Sequence, residues 1–376
     1  MRKLKVIVAM SGGVDSSVAA ALLQKNGYDV VGVFMKFWQE SGEGGENLCC
    51  SAKARLDAKR VAIKLGIPFY VLDVQKEFKK QVVDYFINEY KKGNTPNPCV
   101  ECNRHIKFKF LIDLAIKMKA DYVATGHYVR INQKSKIKNQ NDKSKLKNFK
   151  LLTAKDIKKD QTYFLWQLNQ KQLSKIIFPL GDYIKEEVRG LAKKWKLPVA
   201  EKKDSQEICF IDTNINEFLR KRIKTNKGPI ITKDGKKIGE HKGLIFYTIG
   251  QRKGIEIGGT GPYYVIKKDF NKNTLIVSNS QKDLLQKEMM VKNLNWLSGK
   301  SFNGKCKVKI RSMAAMVPAK IMKHVTRNMK QKNYRIIFDK PQRAITPGQS
   351  AVFYLPAVAS AKEGKGNELL GGGVIT

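Results

Sequence analysis

Two cysteines in this sequence have basic neighbours and could carry out sulfur chemistry together. Cys102 is followed closely by Arg104, and Cys209 comes shortly after Lys202-Lys203. Positive neighbours favour the thiolate, which is the nucleophilic form of a cysteine. One such thiol can carry an extra sulfur atom as a persulfide. The other can attack the sulfur–sulfur bond and release that atom, which leaves a disulfide. The sequence therefore allows a two-cysteine sulfur-transfer cycle.

Metal binding is the alternative interpretation of the same cysteines. Cys99-x-x-Cys102 is half of a zinc site, but no second Cys or His pair with suitable spacing follows. Cys99, Cys102 and Cys209 could instead hold an iron–sulfur cluster with an open iron, an alternative that we do not favour but leave open. No metal site is assigned from the sequence. The remaining cysteines are expected to pack as small apolar residues: Cys49, Cys50 and Cys306.

A glycine-rich loop near the start of the chain is typical of phosphate binding. Ser11-Gly12-Gly13-Val14-Asp15-Ser16-Ser17 follows the apolar run Val6–Met10 and precedes the helical pattern Val18–Leu23. A buried strand thus leads through glycines into a helix N-terminus, where backbone N–H groups and the helix dipole favour an anion. The loop has neither the Gly-Lys-Ser/Thr ending of a Walker loop nor the dinucleotide fingerprint. It resembles the Ser-Gly-Gly-x-Asp-Ser loop of ATP pyrophosphatases. The alternative is an ordinary strand-to-helix turn.

The elements around these motifs predict an α/β fold. Strand and helix patterns alternate through the first part of the chain, which favours a parallel sheet with ligands at the C-terminal strand ends. The resemblance of the glycine-rich loop implies that this sheet is of the ATP-pyrophosphatase (adenine-nucleotide α-hydrolase-like) type. The strongest helix patterns lie at 52–65, 78–90, 108–118 and 184–195. Residues 132–150 are polar and of low complexity, and we expect a hairpin tip that buries no core.

The residue pattern of the later part of the chain differs from that of the first part. Clustered glycines and short strand patterns begin near 213, and apolar and polar residues alternate from about 283 to the end, which predicts a small β-barrel. The closing Gly371-Gly372-Gly373-Val374-Ile375 could fray, but Val374-Ile375 favours a last strand. The expected domains are a catalytic domain at 1–212, a small central domain at 213–282 and a barrel at 283–376.

The charge of the chain points to a polyanionic partner. Its 376 residues include 72 Lys plus Arg against 33 Asp plus Glu, a net charge of +39. Nucleic acid is the leading partner for such a surface, and a generally solvated basic surface is the alternative. No apolar run approaches the roughly 18 residues of a membrane span, and no signal peptide is expected. We therefore expect a cytoplasmic protein.

Several further motifs resemble, in order, those of the tRNA-specific 2-thiouridylase family. The resemblance runs from Lys5 to Ile375. Besides the glycine-rich loop, its motifs are Thr95-Pro96-Asn97-Pro98 with Cys102-Asn103, Ala124-Thr125-Gly126-His127-Tyr128, Lys159-Asp160-Gln161-Thr162-Tyr163-Phe164-Leu165, Lys203-Asp204-Ser205 with Ile208-Cys209-Phe210, Tyr247-Thr248-Ile249-Gly250-Gln251-Arg252-Lys253-Gly254, Thr346-Pro347-Gly348-Gln349 and Gly371-Gly372-Gly373.

The resemblance implies a role for each matching position. Cys102 would be the nucleophile and Cys209 the persulfide carrier. Nucleotide binding is implied for Ala9, Met10, Ser11, Gly12, Gly13, Val14, Asp15, Ser16, Met35 and Gly126, to which the loop pattern adds Ser17. Contact with the target base is implied for Asn97, Pro98 and Cys99, and contact with tRNA for His127, Lys159, Asp160, Gln161, Arg311, Ser312 and Gln349. Simpler alternatives are a core histidine at His127, a sheet-core residue at Met35 and a turn residue at Gln349.

The chain departs from the family pattern at two places. Many relatives carry Asp where Cys99 stands, so Cys99 could serve base contact, redox chemistry or a cluster. After Arg311 the family often continues with Tyr-Arg-Gln, whereas this chain has Ser312-Met313-Ala314. The tRNA contact implied at Ser312 is therefore in question.

The implied reaction is ATP-dependent insertion of sulfur at C2 of the wobble uridine of tRNA. ATP would adenylate O2, with Mg²⁺ bridging phosphates and Asp15 either helping to hold that ion or acting only as a helix-start acid. Sulfur from Cys209 would then displace AMP. The implied partners are tRNA and a sulfur-donor protein, and we expect a monomer. The alternatives are another ATP-pyrophosphatase modifier or amide-forming ligase, and a non-catalytic RNA-binding protein.

Overall fold

The computed structural model describes residues 2–39, 51–134, 148–204, 208–212, 214–255, 257, 262–324, 333–356 and 366–376. The strands are β1 (Lys5–Ala9), β2 (Asp29–Lys36), β3 (Phe69–Asp73), β4 (Tyr122–Ala124), β5 (Val129–Lys134), β6 (Asn148–Thr153), β7 (Ile176–Ile177), β8 (Gly228–Thr232), β9 (Lys237–His241), β10 (Tyr264–Asp269), β11 (Thr274–Ser278), β12 (Leu285–Trp296), β13 (Gly304–Lys309), β14 (Val317–His324), β15 (Asn333–Arg343), β16 (Ser350–Leu355) and β17 (Glu368–Ile375). The α-helices are α1 (Val14–Lys25), α2 (Ala52–Leu65), α3 (Gln75–Phe78), α4 (Asp84–Lys91), α5 (Pro98–Glu101), α6 (Phe108–Lys117), α7 (Gln170–Leu173), α8 (Lys185–Lys194) and α9 (Ile215–Arg220).

A parallel sheet of order β3-β2-β1-β4-β7 forms the centre of the N-terminal part. Strand β1 pairs in parallel with both β2 and β4. Its residues Val6, Ile7 and Val8 are fully buried, because a central strand of such a sheet is covered on both faces. The predicted α/β fold with a parallel sheet is confirmed, and the carboxyl end of β1 delivers the glycine-rich loop.

The helices that follow β3 differ from the single helix expected at 78–90. Helix α3 ends at Phe78, a π-helical turn covers Lys79–Val83, and α4 begins at Asp84. A second π-helical turn covers Cys102–Lys107 between α5 and α6. Such turns leave no trace in a 3.6-residue pattern, and they occur often at functional sites. Among the residues that the structure describes, no helix has the length and apolar character needed to cross a membrane.

The C-terminal part forms the predicted barrel. Six antiparallel strands follow the order β12-β15-β14-β13-β16-β17, and pairing of β12 with β17 closes the ring. The final glycines lie inside β17, so the prediction of a last strand is confirmed. A Cβ on Gly372 would lie 2.7 Å from the ring of Trp166, which explains why this position needs glycine. A separate sheet of order β10-β11-β8-β9 belongs to the central part.

The polar segment at 132–150 differs from the expectation that it buries no core. Strands β5 and β6 form an antiparallel hairpin that includes residues 132–134 and 148–150. Phe149 packs against the main hydrophobic core. Strand β6 also pairs with β17, so the barrel sheet continues into the N-terminal part. The expected tip, residues 135–147, lies outside the described residues, as do Cys49 and Cys50.

Candidate active site

The glycine-rich loop connects β1 to α1 and presents an uncapped helix N-terminus. Gly12 has φ +74°, and a Cβ there would lie 2.1 Å from the carbonyl oxygen of Ala54. Gly13 precedes α1 and gives it no side-chain cap, which leaves the first N–H groups of the helix available for an anion. The Ser16 hydroxyl accepts a hydrogen bond from the Ser11 backbone N–H at 3.2 Å. The loop thus has the geometry of a phosphate-binding turn.

Gly126 lies against the same loop. A Cβ on Gly126 would be 2.7 Å from the backbone nitrogen of Ser16. Only glycine therefore lets the chain after β4 approach the start of α1 so closely. The glycine expected here from the family motif has a direct steric reason.

A cavity of about 330 Å³ opens beside the loop at the carboxyl ends of β1, β2 and β4. It brings together many of the predicted site residues: Ala9, Met10, Ser11, Asp15, Ser16, Met35, Pro98, Cys99, Cys102, Gly126, His127, Gln161 and Cys209. The other predicted residues lie outside its lining: Gly12, Gly13, Val14, Ser17, Asn97, Lys159, Asp160, Arg311, Ser312 and Gln349. The lining also includes Lys107, which our sequence reasoning missed although it lies close after Cys102.

Cys102 and Cys209 face this cavity from different segments. Cys102 begins the π-helical turn and is 5% exposed, whereas Cys209 is partly exposed. Phe210, the residue after Cys209, is buried with edge-on contacts to Phe78 and Phe86. This aromatic packing holds the Cys209 segment at the cavity. The two cysteines that the sequence pairs for sulfur transfer thus share one space.

The other described cysteines have different surroundings. Cys99 is exposed at the start of α5 and lines the cavity. Cys306 packs inside the barrel, where burial raises the pKa of its thiol to about 12. In the part of the chain that the structure describes, no group of three or more His, Cys, Asp or Glu side chains is arranged to hold a metal ion.

His127 is a buried and neutral histidine at the cavity wall. Its Nδ1 lies 2.7 Å from the Thr125 hydroxyl, and its ring packs on Phe108 and Phe178. Burial, together with the positive charge of Lys107, lowers the pKa of His127 to about 3. At neutral pH it can therefore contact a ligand as an uncharged hydrogen-bonding group, not as a cation.

Several predicted residues support the site from beneath or beside it. Ser17 is fully buried, and its hydroxyl donates to the Gly13 carbonyl at 2.8 Å. Val14 packs in a hydrophobic cluster behind the loop. Asp160 accepts hydrogen bonds from the Ala154 backbone N–H and the Thr162 hydroxyl, and burial raises its pKa. These contacts explain the residue types at positions 14, 17 and 160, because each side chain stabilises the local structure around the site.

Tyr163 links the barrel to the segment before Cys102, and Arg311 holds a turn of the barrel. The Tyr163 hydroxyl donates to the Ser350 carbonyl at 2.9 Å and also interacts with the Asn97 side chain. Arg311 donates to the Thr346 hydroxyl at 3.1 Å, in the turn that leads to Gln349. Ser312 is partly exposed beside Arg311. The residues predicted to contact tRNA thus come from both the N-terminal part and the barrel.

An ion-pair network that sequence reasoning missed lies behind the loop. Lys185 Nζ lies 2.6 Å from Asp15 Oδ1 and 2.8 Å from Asp204 Oδ1. Burial would raise the pKa of Asp204, but hydrogen bonds from Lys159 and Lys185 outweigh it and lower the pKa to about 2. Lys202 donates to the Gly12 carbonyl at 3.0 Å. A lysine at the first position of α8 is unfavourable for the helix dipole, which is a signal in the sequence that Lys185 has another role.

Comparison with known proteins agrees with this architecture. Family models match residues 4–213 as a tRNA methyl transferase HUP domain, 216–279 as a tRNA methyl transferase PRC-barrel domain and 286–375 as an aminomethyltransferase beta-barrel domain. The chain is 43% identical over 378 residues to tRNA-specific 2-thiouridylase MnmA 2 of Clostridium tetani, covering 99% of both chains. It is 46% identical over 359 residues to tRNA-specific 2-thiouridylase MnmA of Alkaliphilus oremlandii, covering 93% of both. The chain therefore belongs to the tRNA-specific 2-thiouridylase family, a family of enzymes.

Proposed function

We propose that this protein is an ATP-dependent sulfurtransferase that replaces O2 of the wobble uridine of tRNA with sulfur. One observation carries the proposal: Ser11 and Ser16 of the phosphate-binding loop line the same cavity as Cys102 and Cys209. An ATP site and two thiols in one space suit an activation step followed by sulfur transfer. Pro98 and Cys99 at the cavity edge fit the contact with the target base that the family resemblance implies.

Activation is needed because an oxide is a very poor leaving group. In the proposed reaction uracil O2 attacks the α-phosphate of ATP and pyrophosphate leaves. The N–H groups at the start of α1 stabilise the negative charge that develops on the departing pyrophosphate. Neutral His127 and Gln161 line the cavity as groups that can orient the nucleotide or base by hydrogen bonding.

A magnesium ion fits this site through one carboxylate. Asp15 lines the cavity at the first turn of α1, and magnesium is commonly held by one or two carboxylates together with substrate phosphates. When bound, the ion would neutralise charge on the phosphates. In the structure, Asp15 Oδ1 accepts hydrogen bonds from Lys185 Nζ at 2.6 Å and from the Tyr128 hydroxyl at 2.8 Å.

Sulfur transfer then uses the two cysteines in separate roles. Cys209 carries the sulfur as a persulfide received from a sulfur-donor protein. Either its terminal sulfur attacks C2, or the Cys102 thiolate attacks Cys209 Sγ and releases sulfide, which attacks C2. In both cases AMP leaves. A Cys102–Cys209 disulfide forms as the sulfur departs from Cys209. An external dithiol, or two molecules of a thiol, then supplies the two electrons that restore both cysteines and is itself oxidised to a disulfide. We propose that the protein does this as a monomer in the cytoplasm.

The test separates activation from sulfur transfer. Cys209→Ser should release pyrophosphate in the presence of tRNA and ATP but form no 2-thiouridine, measured by mass spectrometry of nucleosides. Cys102→Ser should accumulate persulfide on Cys209. Cys306→Ser is the matched control, because Cys306 lies in the barrel, and it should retain full thiolation. Normal thiolation by Cys209→Ser would disprove the persulfide role, and absence of tRNA-dependent pyrophosphate release by the native protein would disprove the proposed function.

The iron–sulfur alternative has its own test. Cys99→Asp should thiolate tRNA at the native rate, and the native preparation should contain no iron and show no visible absorption band. Iron in stoichiometric amount that is lost together with activity in Cys99→Asp would favour the cluster.

A further inference from the structure

A chain of ion pairs runs from the protein surface to the nucleotide loop. Lys159 Nζ lies 2.7 Å from Asp204 Oδ2, and Asp204 Oδ1 lies 2.8 Å from Lys185 Nζ. Lys185 Nζ in turn lies 2.6 Å from Asp15 Oδ1. The outer end is accessible, since the Lys159 side chain is 40% exposed, whereas the Lys185 side chain is only 7% exposed. The inner end, Asp15, lines the cavity.

Lys185 is shared between two carboxylates, so the strength of each of its ion pairs depends on the other partners of those carboxylates. Asp204 also pairs with Arg189 at 2.9 Å, which places three cations around it. When one of these cations is removed, the net electrostatic attraction between Asp204 and each remaining cation becomes stronger, because the cation that has left no longer repels them. Because Lys185 has little contact with solvent, such changes in its ion pairs are only weakly screened by water and salt.

We propose that this chain couples tRNA binding to ATP binding, with Asp204 and Lys185 as positioning residues. The inference rests on the proposed function, in which Lys159 contacts tRNA. A tRNA phosphate that pairs with Lys159 competes with Asp204 for the ammonium group of Lys159. Asp204 then draws Lys185 away from Asp15, and the Asp15 carboxylate becomes available to the magnesium ion that accompanies ATP. Bound tRNA thereby strengthens binding of Mg²⁺-ATP, and by linkage Mg²⁺-ATP strengthens binding of tRNA by the same factor.

The experiment measures this factor directly by calorimetry. The affinity of the full-length protein for a non-hydrolysable ATP analogue with Mg²⁺ is determined without tRNA and with saturating unmodified tRNA. We expect tRNA to increase the affinity by about fivefold or more, in the usual range of coupling between sites. Asp204→Asn keeps the shape of the side chain but removes its charge, and the factor should fall to about one.

Two surface variants complete the test. Lys159→Met should also lose the coupling factor, although ATP still binds. Lys158→Met is the matched control, because Lys158 is an exposed neighbour with the same charge; it should retain the factor even if tRNA binds less tightly overall. An unchanged factor in both Asp204→Asn and Lys159→Met, or a factor of one in native protein that binds both ligands, would overturn the inference and leave the proposed function intact. Failure of the native protein to bind ATP or tRNA would instead contradict the proposed function.

Discussion

Gln349 of the barrel donates a hydrogen bond of 2.8 Å to the backbone carbonyl of Thr95, a residue 254 positions away in the N-terminal part. The Thr95 backbone N–H in turn donates to the Pro347 carbonyl at 2.9 Å. Gly348 between them approaches Asn94 so closely that a Cβ would lie 2.8 Å from its side chain. The barrel therefore fixes the chain that leads into Asn97, Pro98 and Cys99.

The Gln349 hydrogen bond should matter more for tRNA chemistry than for ATP binding. Gln349→Ala removes one contact of ~1 kcal/mol, and we expect thiolation to fall roughly fivefold, the rate equivalent of that energy. ATP affinity should be unchanged, since Gln349 lies outside the cavity lining. Gln342→Ala is the control, because Gln342 is a barrel residue whose amide donates to the Lys340 carbonyl. Equal rates for the native protein and Gln349→Ala would show that the contact is dispensable.

The two loop glycines should respond differently to substitution. Gly12→Ala places a Cβ against Ala54 and forces a left-handed backbone on alanine, so we expect unfolding to become easier by at least about 2 kcal/mol. Gly13 has φ −97°, and its nearest contact for a Cβ is Ser11 Oγ at 3.6 Å. Gly13→Val should therefore keep nearly native thermal stability yet lose ATP binding and AMP formation. Native AMP formation by Gly13→Val would contradict the assignment of the loop.

The described cysteines should differ sharply in reactivity. At pH 8 iodoacetamide should modify exposed Cys99 readily and leave Cys306 intact, because burial raises the Cys306 pKa to about 12. Peptide mass spectrometry over time gives both rates in one sample, and the Cys306 rate should rise only when urea unfolds the barrel. Modification of Cys306 at a rate comparable to Cys99 in folded protein would refute this burial.

Binding of tRNA should depend strongly on salt. The net charge of +39 predicts many phosphate contacts, and the slope of log K against log salt should steepen by about 0.7 to 0.9 for each contact. Titrations between ~50 and ~200 mM salt measure this slope. A tRNA affinity that does not change over that range would exclude a mainly electrostatic mode of binding.

The partly buried ammonium of Lys268 should make stability depend on alkaline pH. Burial lowers the pKa of Lys268 to about 8 from the ordinary value of 10.5, and Nζ donates to the carbonyls of Gly93 and Tyr247. Between these values the unfolded chain binds more protons than the folded one, so this group increases the free energy of unfolding as pH rises from 8 to 10.5. The gain is at most about 1.4 kcal/mol per pH unit.

The measurement for Lys268 compares urea unfolding of native protein with that of Lys268→Met. Plotted against pH, the native free energy of unfolding minus that of the variant should rise above pH 8 and stay level below it. Subtraction of the variant cancels the tyrosines and other groups that titrate in the same range. A difference that is flat or falls with pH would show that Lys268 is not desolvated as the structure indicates.

Local patterns in the sequence were sufficient for much of the fold and the chemistry of the loop. The apolar run Val6–Met10 predicted the central strand, and the pattern at 52–65 predicted α2, because the order of apolar and polar residues determines which side chains can be buried in a regular element. The alternating C-terminal segment predicted the barrel strands for the same reason. The roles of Cys102 and Cys209 rest on motif and family resemblance and stay predictions.

Only the tertiary structure decided which distant residues meet. The ion pairs of Lys185 with Asp15 and Asp204, the hydrogen bond of Gln349 to Thr95 and the pairing of β6 with β17 join segments with no shared local pattern. The π-helical turn at Cys102 was likewise not predicted, since such turns leave no trace in a 3.6-residue pattern. Residue order specifies which faces must be buried. How the sheet, the loop and the barrel pack together determines which charges are left facing each other.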